Sequence, residues 1–257
     1  MEVVNQFLQI PDRCLLNKKI TKAFYKRNFD LTTSEKALLE DPEIMVAVNW
    51  LASISPDTAN INSFQQDNYL FEEVQIISVQ TTERNFSINQ QKIADLIQKY
   101  IPYPILLTVF TELNFILNTC DKRINQNDSS RRTIERRYFT EAISLEVAND
   151  QENAFLKSIS FGNLDKTNLK TLYESYSRCI IALQASALNG LFIPRTQIRT
   201  QENLIHLENI ETLKNEIITL QNLAKKEKQL KQQINLNTQV QMKREEIEHL
   251  KTLIINF

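Results

Sequence analysis

The sequence predicts an α+β fold: a mostly antiparallel sheet with packed helices, followed by a long C-terminal coiled-coil-type helix or a helical hairpin. Before Gln151, short segments alternate apolar and polar residues, as strands do; after it, apolar residues recur every three or four positions, as in helices. The tract 201–254 contains no glycine or proline and would form a helix of about 80 Å. We therefore predict an α+β domain (1–191), a linker (192–200) and a C-terminal long helix or coiled coil (201–257).

The first part of the domain contains one predicted helix and two predicted strands. Thr32 or Thr33 is a suitable N-cap for a helix that runs to Glu40. The segment "IMVAVNWLASIS", which begins at Ile44, is rich in β-branched residues and predicts a strand. Leu70–Glu83 has apolar residues at alternating positions on both faces and predicts a strand that is covered on both sides.

The central part contains a further helix and three further strands. Ser87 is the predicted N-cap of the helix. "ILLTVFTELNFILNTCDKRI" predicts two strands joined near Glu112–Asn114, and Thr133–Val147 predicts one more. Short links between these elements favour a mostly antiparallel sheet with helices on one face. The apolar stripe of the predicted helix consists of Ile93, Leu96, Ile97 and Tyr100.

Helical periodicity covers the remainder of the chain. "TNLKTLYESYSRCIIALQAS" predicts a helix for which Gly190 is a natural C-terminal stop. Beyond the linker, two blocks of apolar residues keep a seven-residue spacing but are out of phase, and "KKEKQLKQQINLN", Lys225–Asn237, separates them. The offset requires either a stutter in one helix or the turn of an antiparallel hairpin. Because the tract lacks glycine and proline, we favour the continuous helix with a stutter.

The apolar seam of this tract is the predicted partner-binding surface. An isolated helix cannot bury such a seam, so it needs another helix to pack against. The docking partner or a second copy of the chain could supply that helix. The seam residues are Ile210, Leu213, Ile217, Leu220, Val240, Ile247, Leu250 and Ile254.

Composition argues against several functional classes. A formal net charge of -1 and a pI near 6.2 disfavour a protein that binds nucleic acid over its whole surface. The two glycines, Gly162 and Gly190, are too few for a P-loop or a dinucleotide site. Cys14, Cys120 and Cys179 are far apart and predict reduced structural thiols. Without a signal peptide or a run of ~20 apolar residues, we expect a soluble cytoplasmic protein with no membrane contact.

The sequence does not predict a catalytic residue, a metal site or a cofactor. His206 and His249 lie in the helical tail and are predicted to be surface residues, and no Cys/His metal spacing occurs. The chain is therefore expected to be non-enzymatic.

A divergent metal-dependent nuclease is the enzymatic alternative. A restriction-type nuclease needs an Asp followed by Glu-x-Lys on adjacent strands to hold a divalent metal. Asp57 with Glu72 or Glu73 comes nearest, but Gln75 stands at the lysine position. The alternative reading of the two glutamates is that they are solvent-facing strand residues.

Basic residues suggest a second alternative, a nucleic-acid-binding module. "SSRRTIERRYF" places arginines beside Tyr138 and Phe139, where guanidinium groups could follow phosphates and the rings could stack on bases. In a regular strand, Arg132, Arg136 and Tyr138 would share one face. Such a pattern can equally protect an edge strand. The candidate nucleic-acid-binding residues are Arg131, Arg132, Arg136 and Arg137, with Lys225, Lys226 and Lys228 of the C-terminal tract.

Four stretches, in order, resemble an uncharacterised bacterial family, domain of unknown function 4391: "NKKITKAFY", "NWLASISPDTANI", "YIPYPILLTVF" and "AKKEKQLKQQINLNTQVQMKREEIEHL". Lys226–Gln229 and Leu236–Asn237 match the family tail, whereas Leu230 and Gln233 depart from its more basic form. The resemblance implies a setting beside type III-like restriction methyltransferases and helicases in anti-phage defence. We therefore expect an accessory or scaffold subunit of a restriction-modification or defence assembly. It would dock on a methyltransferase or helicase, with nucleic acid reached through that partner.

Overall fold

A computed structural model describes residues 2–128, 131–194 and 197–255. The chain divides into two compact units, Met1–Ile180 and Ile181–Phe257. The first unit is built on a seven-stranded, mostly antiparallel sheet with helices, which confirms the predicted α+β class. The second unit contains two long C-terminal helices.

The strands of the large sheet lie in the order β1-β2-β5-β6-β7-β8, with β9 beside β7. Neighbouring strands are antiparallel except β5 and β6, which are parallel and joined by a helix. β3 and β4 form a separate two-stranded sheet. The strands are β1 (Leu15–Lys19), β2 (Ala47–Ile54), β3 (Phe64–Gln66), β4 (Tyr69–Phe71), β5 (Val74–Gln80), β6 (Ile105–Phe110), β7 (Asn114–Ile124), β8 (Arg132–Phe139) and β9 (Ile143–Ser144).

The helices begin and end at residues with recognisable capping chemistry. Thr32 caps α3 and forms a capping box with Glu35, as the sequence predicts. Gly190 follows the last residue of α7 with a φ of 72°, a conformation that favours glycine. The helices are α1 (Glu2–Leu8), α2 (Lys22–Asn28), α3 (Thr33–Glu40), α4 (Pro56–Ala59), α5 (Glu83–Tyr100), α6 (Asp150–Ser158), α7 (Leu169–Asn189), α8 (Gln197–Lys226) and α9 (Leu230–Ile255).

Helices cover both faces of the large sheet, whereas the sequence predicts helices on one face. On the first, called here the α5 face, Ile93 and Ile97 of α5 pack into one core with Leu107 of β6. On the second, the α7 face, Ser177 of α7 hydrogen-bonds Thr119 of β7. Both faces of β5 and β6 are thus covered, which explains why their residues are apolar without strict alternation.

Tyr173 of α7 closes the sheet where β6 and β7 diverge. Leu107 and Asn118 are the last paired residues, and beyond them the Tyr173 hydroxyl lies between the strands. It accepts a hydrogen bond from the Cys120 N–H at 2.8 Å. The same oxygen lies 3.1 Å from the carbonyl oxygen of Ile105 and 3.0 Å from that of Cys120, either of which can accept its proton. The hydroxyl therefore replaces a backbone pair.

Tyr173→Phe should lower the free energy of unfolding by about 1–3 kcal/mol, because the buried Cys120 N–H would lose its partner. Urea denaturation measures this change. Tyr103→Phe removes a hydroxyl at an exposed position and should change the stability by less than about 0.5 kcal/mol. Equal stabilities of the two variants would contradict the bridging role.

Several predicted boundaries are wrong. α5 begins one turn before Ser87: Thr82 is its N-cap residue, and Phe86 extends the buried stripe. The strand predicted over Thr133–Val147 is interrupted after Phe139. α8 begins at Gln197, inside the segment predicted as the linker 192–200, and the predicted division into domains stays a prediction. The boundary between the compact units lies within α7.

The prediction of one continuous C-terminal helix is also wrong, and the chain forms the alternative, a helical hairpin. α8 ends at Lys226 and α9 begins at Leu230. The pairing of Lys243 with Glu216, and of Gln233 with Ala224 nearer the turn, shows that the two helices run antiparallel. Coiled-coil packing between α8 and α9 remains a prediction.

Candidate functional site

A bulge in β8 decides which arginines share a surface. Lys122 pairs with Ile134 and Asp121 pairs with Arg136, so one extra residue, Glu135, stands in β8 between the two pairs. The side-chain alternation therefore changes there. Arg132, Ile134 and Arg137 lie on the α5 face, and Arg136 and Tyr138 on the α7 face. The predicted sharing of one face by Arg132, Arg136 and Tyr138 is wrong.

Arg132 and Arg137 line a groove between β8, α5 and α3. We call it the α5–β8 groove; its volume is about 470 Å³. The floor includes the buried side chains of Leu38 and Leu96. The lining residues are Ser34, Glu35, Leu38, Lys92, Asp95, Leu96, Lys99, Arg132, Ile134 and Arg137.

The α5–β8 groove contains more cations than carboxylates. Two lysines and two arginines face Glu35 and Asp95. Arg137 Nε lies 2.6 Å from Asp95 Oδ1, and Lys99 Nζ lies 2.7 Å from Glu35 Oε1. Among the described residues, no carboxylate lies within ion-pair distance of Lys92, whose ammonium approaches the Asn89 side chain at 3.4 Å. The groove is therefore electropositive.

Glu35 holds α3 in place at one side of the α5–β8 groove. Burial alone would raise the pKa of this carboxyl, but hydrogen bonds from Lys99, from the Thr32 N–H and from the Tyr100 hydroxyl lower it to about 2. The carboxylate is therefore ionised at neutral pH, and it holds α3 against α5.

The aromatic neighbours of the arginines are not available for stacking. Tyr138 is buried and its hydroxyl donates to Asp121 Oδ2 at 2.5 Å. Burial raises the pKa of Asp121, whereas the Tyr138 hydrogen bond and the Arg136 charge act in the opposite direction. Phe139 packs into the core on the α5 face. Arg131 pairs with Asp128 at 3.1 Å and does not line the groove.

The predicted partner-binding seam lies inside the hairpin. Seven of its eight residues are buried, and Leu220 packs against them. In this structure α8 and α9 therefore bury each other's apolar stripe. A role of the seam in binding a partner stays a prediction.

The lysine-rich interruption forms the turn of the hairpin, and two polar side chains stabilise it without glycine or proline. Glu227 Oε1 accepts hydrogen bonds from the N–H groups of Lys228 and Gln229, both at 2.8 Å. Gln233 Nε2 donates to the carbonyl oxygen of Ala224 at the end of α8, at 3.3 Å. These bonds satisfy backbone groups that a helix end leaves unpaired.

The hairpin tip, residues 223–234, exposes both charge and apolar surface. Three aliphatic side chains there are more than half exposed: Leu223, Leu230 and Ile234. Four lysines are exposed: Lys225, Lys226, Lys228 and Lys231. None of these lysines has an ion-pair partner in the part of the chain that the structure describes. Glu227 is the single carboxylate of the segment.

The nuclease candidates gain no support from their geometry. Glu73 Oε2 accepts hydrogen bonds from Ser53 Oγ at 2.8 Å and from Gln75 Nε2 at 2.7 Å. Gln75 Oε1 in turn accepts from Trp50 Nε1 at 2.6 Å. Within the described ranges, no group of three His, Cys, Asp or Glu side chains is placed to hold a metal ion. The Glu73 carboxylate therefore serves to join β2 to β5.

The cysteines are buried thiols, and the two histidines differ in their exposure. All three cysteines are free and buried, and burial raises the pKa of Cys120 to about 11 and that of Cys179 to about 12. His249 is exposed as predicted, whereas His206 is half-buried.

Sequence reasoning missed Lys122, a buried lysine in β7. Its side chain is 7 % exposed and donates hydrogen bonds to the carbonyl oxygens of Ile101 and Tyr103, at 2.8 and 2.9 Å. Burial lowers the pKa of the ammonium to about 7. In the sequence it stands between Asp121 and Arg123, and this charged stretch gave no signal of burial.

Comparisons with known proteins give one match. A family model described as Domain of unknown function (DUF4391) matches residues 8–247. No curated protein and no solved structure matches the chain. No helix of the described residues is long and apolar enough to cross a membrane.

Proposed function

Because the chain belongs to the family Domain of unknown function (DUF4391), we propose that it is a non-enzymatic accessory subunit of a bacterial restriction-modification or anti-phage assembly. The α8–α9 hairpin docks on a methyltransferase or helicase subunit. The setting comes from the resemblance to the family. The docking element comes from the hairpin tip, where exposed aliphatic residues stand among exposed lysines.

The chemistry of the tip defines the partner surface. Leu223, Leu230 and Ile234 would gain stability from burial in an apolar pocket, because contact with a partner removes them from water. The lysines around them favour a pocket rimmed by Asp and Glu, since complementary charges increase the association rate and the specificity. A phosphate backbone would use the lysines but not the aliphatic side chains. The tip therefore fits an acidic protein surface best.

The proposal also accounts for the position of the seam. A hairpin whose own helices bury the seam is preorganised, so docking does not require the ordering of a helix at the moment of binding. The exposed tip is then free to enter a pocket while the hairpin core remains intact.

Coexpression of the tagged chain with its neighbouring genes, followed by native mass spectrometry, tests the proposal. We expect a complex of fixed stoichiometry with a methyltransferase or helicase. Combined replacement of Leu223, Leu230 and Ile234 by Ser should abolish the complex. The control variant replaces Ile218 and Met242 by Ser. These two side chains are also more than half exposed, but they lie away from the tip. The control should retain it.

Two results would contradict the proposal. One is a lone monomer or homodimer in the presence of the neighbouring proteins. The other is a complex that survives the tip substitutions while circular dichroism shows that the hairpin is folded.

A further inference from the structure

We infer that the α5–β8 groove binds the phosphodiester backbone of a nucleic acid. Lys92 and Lys99 of α5 and Arg132 and Arg137 of β8 face this groove. Because the groove lies in the first compact unit and the hairpin tip in the second, the inference is independent of the proposed docking.

The cations form rows rather than a single point. Lys92 and Lys99 are seven residues apart on one helix, which separates their backbones by about 10 Å. Arg132 and Arg137 pair with Ile124 and Cys120, which are four residues apart on β7, so their backbones are separated by roughly 13 Å. A small anion can contact one end of such an arrangement, whereas a chain of phosphates can contact its whole length. The spacing therefore favours a polyanion.

The existing ion pairs leave the groove available to phosphate. Arg137 and Lys99 each pair with a carboxylate, but the two cation side chains are 43 % and 50 % exposed. Exposed pairs of this kind contribute little to stability, because water and salt screen them. An arginine can exchange a carboxylate for a phosphate, because its planar guanidinium binds either anion. Asp95 would then keep the Arg137 guanidinium in position until a phosphate replaces the carboxylate.

The lining predicts recognition without base specificity. The apolar floor is made of Leu38, Leu96 and Ile134. Tyr138 lies on the α7 face and Phe139 is packed into the core, so neither ring is among the lining residues. Because none of the described lining residues carries a ring that could stack on a base, affinity comes from phosphate contacts and falls with salt. With up to four contacts, the slope of log K against log salt should be about -3 for a single strand and about -4 for a duplex.

Fluorescence anisotropy of the full chain with 5′-fluorescein-labelled 20-nucleotide probes tests the inference. The probes are single-stranded DNA, the same sequence as a duplex, and single-stranded RNA. Replacing Arg132 and Arg137 by Gln should raise Kd by about tenfold or more and reduce the salt slope by about 2. The matched control replaces Arg131 and Arg136 by Gln; it removes the same charge outside the groove and should change Kd by less than about twofold.

Lys92→Gln provides a second test that does not depend on the β8 arginines. This exposed lysine has no ion-pair partner among the described residues, so its removal spares the fold and should reduce the salt slope by about 1. Equal affinities of the groove and control variants would overturn the inference, as would the absence of binding to every probe in 50 mM salt. Full displacement of the probe by inorganic phosphate, at a concentration equal to that of the probe, would also overturn the inference. That result would indicate a site for a single anion.

Discussion

Relative to a Lys122→Met variant, the native chain will gain roughly 2 to 3 kcal/mol of stability between about pH 6 and about pH 9. The folded-state pKa of Lys122 is about 7, below the ordinary value of 10.5, because burial disfavours the ammonium. Between these two values the unfolded chain binds a proton that the folded chain does not. The free energy of unfolding therefore rises with pH in this window. Below about pH 7 both states are protonated, and the cost of burying the charge is constant.

Urea denaturation at a series of pH values, with both proteins in the same buffers, measures the difference. Measurements stop near pH 9. Burial raises the pKa of the neighbouring Cys120 to about 11 in the folded chain, whereas the ordinary value is 9.0. Above pH 9 this thiol would therefore lose its proton in the unfolded chain only and would add its own pH dependence. Lys157→Met, at an exposed position on α6, should show a stability difference that does not vary with pH. A pH-independent difference for Lys122→Met as well would show that the ammonium keeps its ordinary pKa in the folded chain.

Local chemistry made part of the fold predictable. The capping box of α3 depends on Thr32 and Glu35, which are three residues apart and belong to one turn. The stop after α7 depends on one glycine, Gly190. Runs of apolar and β-branched residues located β2, β6 and β7, because each run has clear ends. In each case the determining residues are neighbours in the sequence.

The features that the sequence did not predict depend on contacts between distant residues. The bulge at Glu135 contains no glycine, and it is visible only in the pairing of β8 with β7. The hairpin turn is stabilised by Glu227 and Gln233, polar residues that would be equally suitable inside a continuous helix. The groove joins α5 to β8 across more than 30 positions of sequence, so its cations could not be grouped beforehand.

The bulge also changes how the arginine run is interpreted. In a regular strand Arg136 would strengthen the groove and Arg137 would face away from it. The structure reverses these positions. Arg137 is therefore a candidate phosphate-binding residue, and its neighbour Arg136 serves in the matched control. The same distinction between neighbouring residues applies in the hairpin, at Ile217 and Ile218.

Ile217→Asp will unfold the α8–α9 hairpin, whereas Ile218→Asp will not. Ile217 is 9 % exposed and belongs to the hairpin core, while its neighbour is 55 % exposed. A carboxylate buried among aliphatic side chains without a partner costs several kcal/mol. Helices of 30 and 26 residues are marginally stable in water without packing, so the loss of the core should melt both.

Far-ultraviolet circular dichroism measures the helical loss, and fluorescence of Trp50, the single tryptophan, reports on the first unit. We expect Ile217→Asp to lose helical signal while the tryptophan emission is unchanged. Full helical content in this variant would mean that the seam is not the hairpin core. The seam would then be a free docking surface, and loss of a partner complex on this substitution could be attributed to contact. If the hairpin melts instead, such a loss follows from unfolding, and only the tip substitutions report on docking.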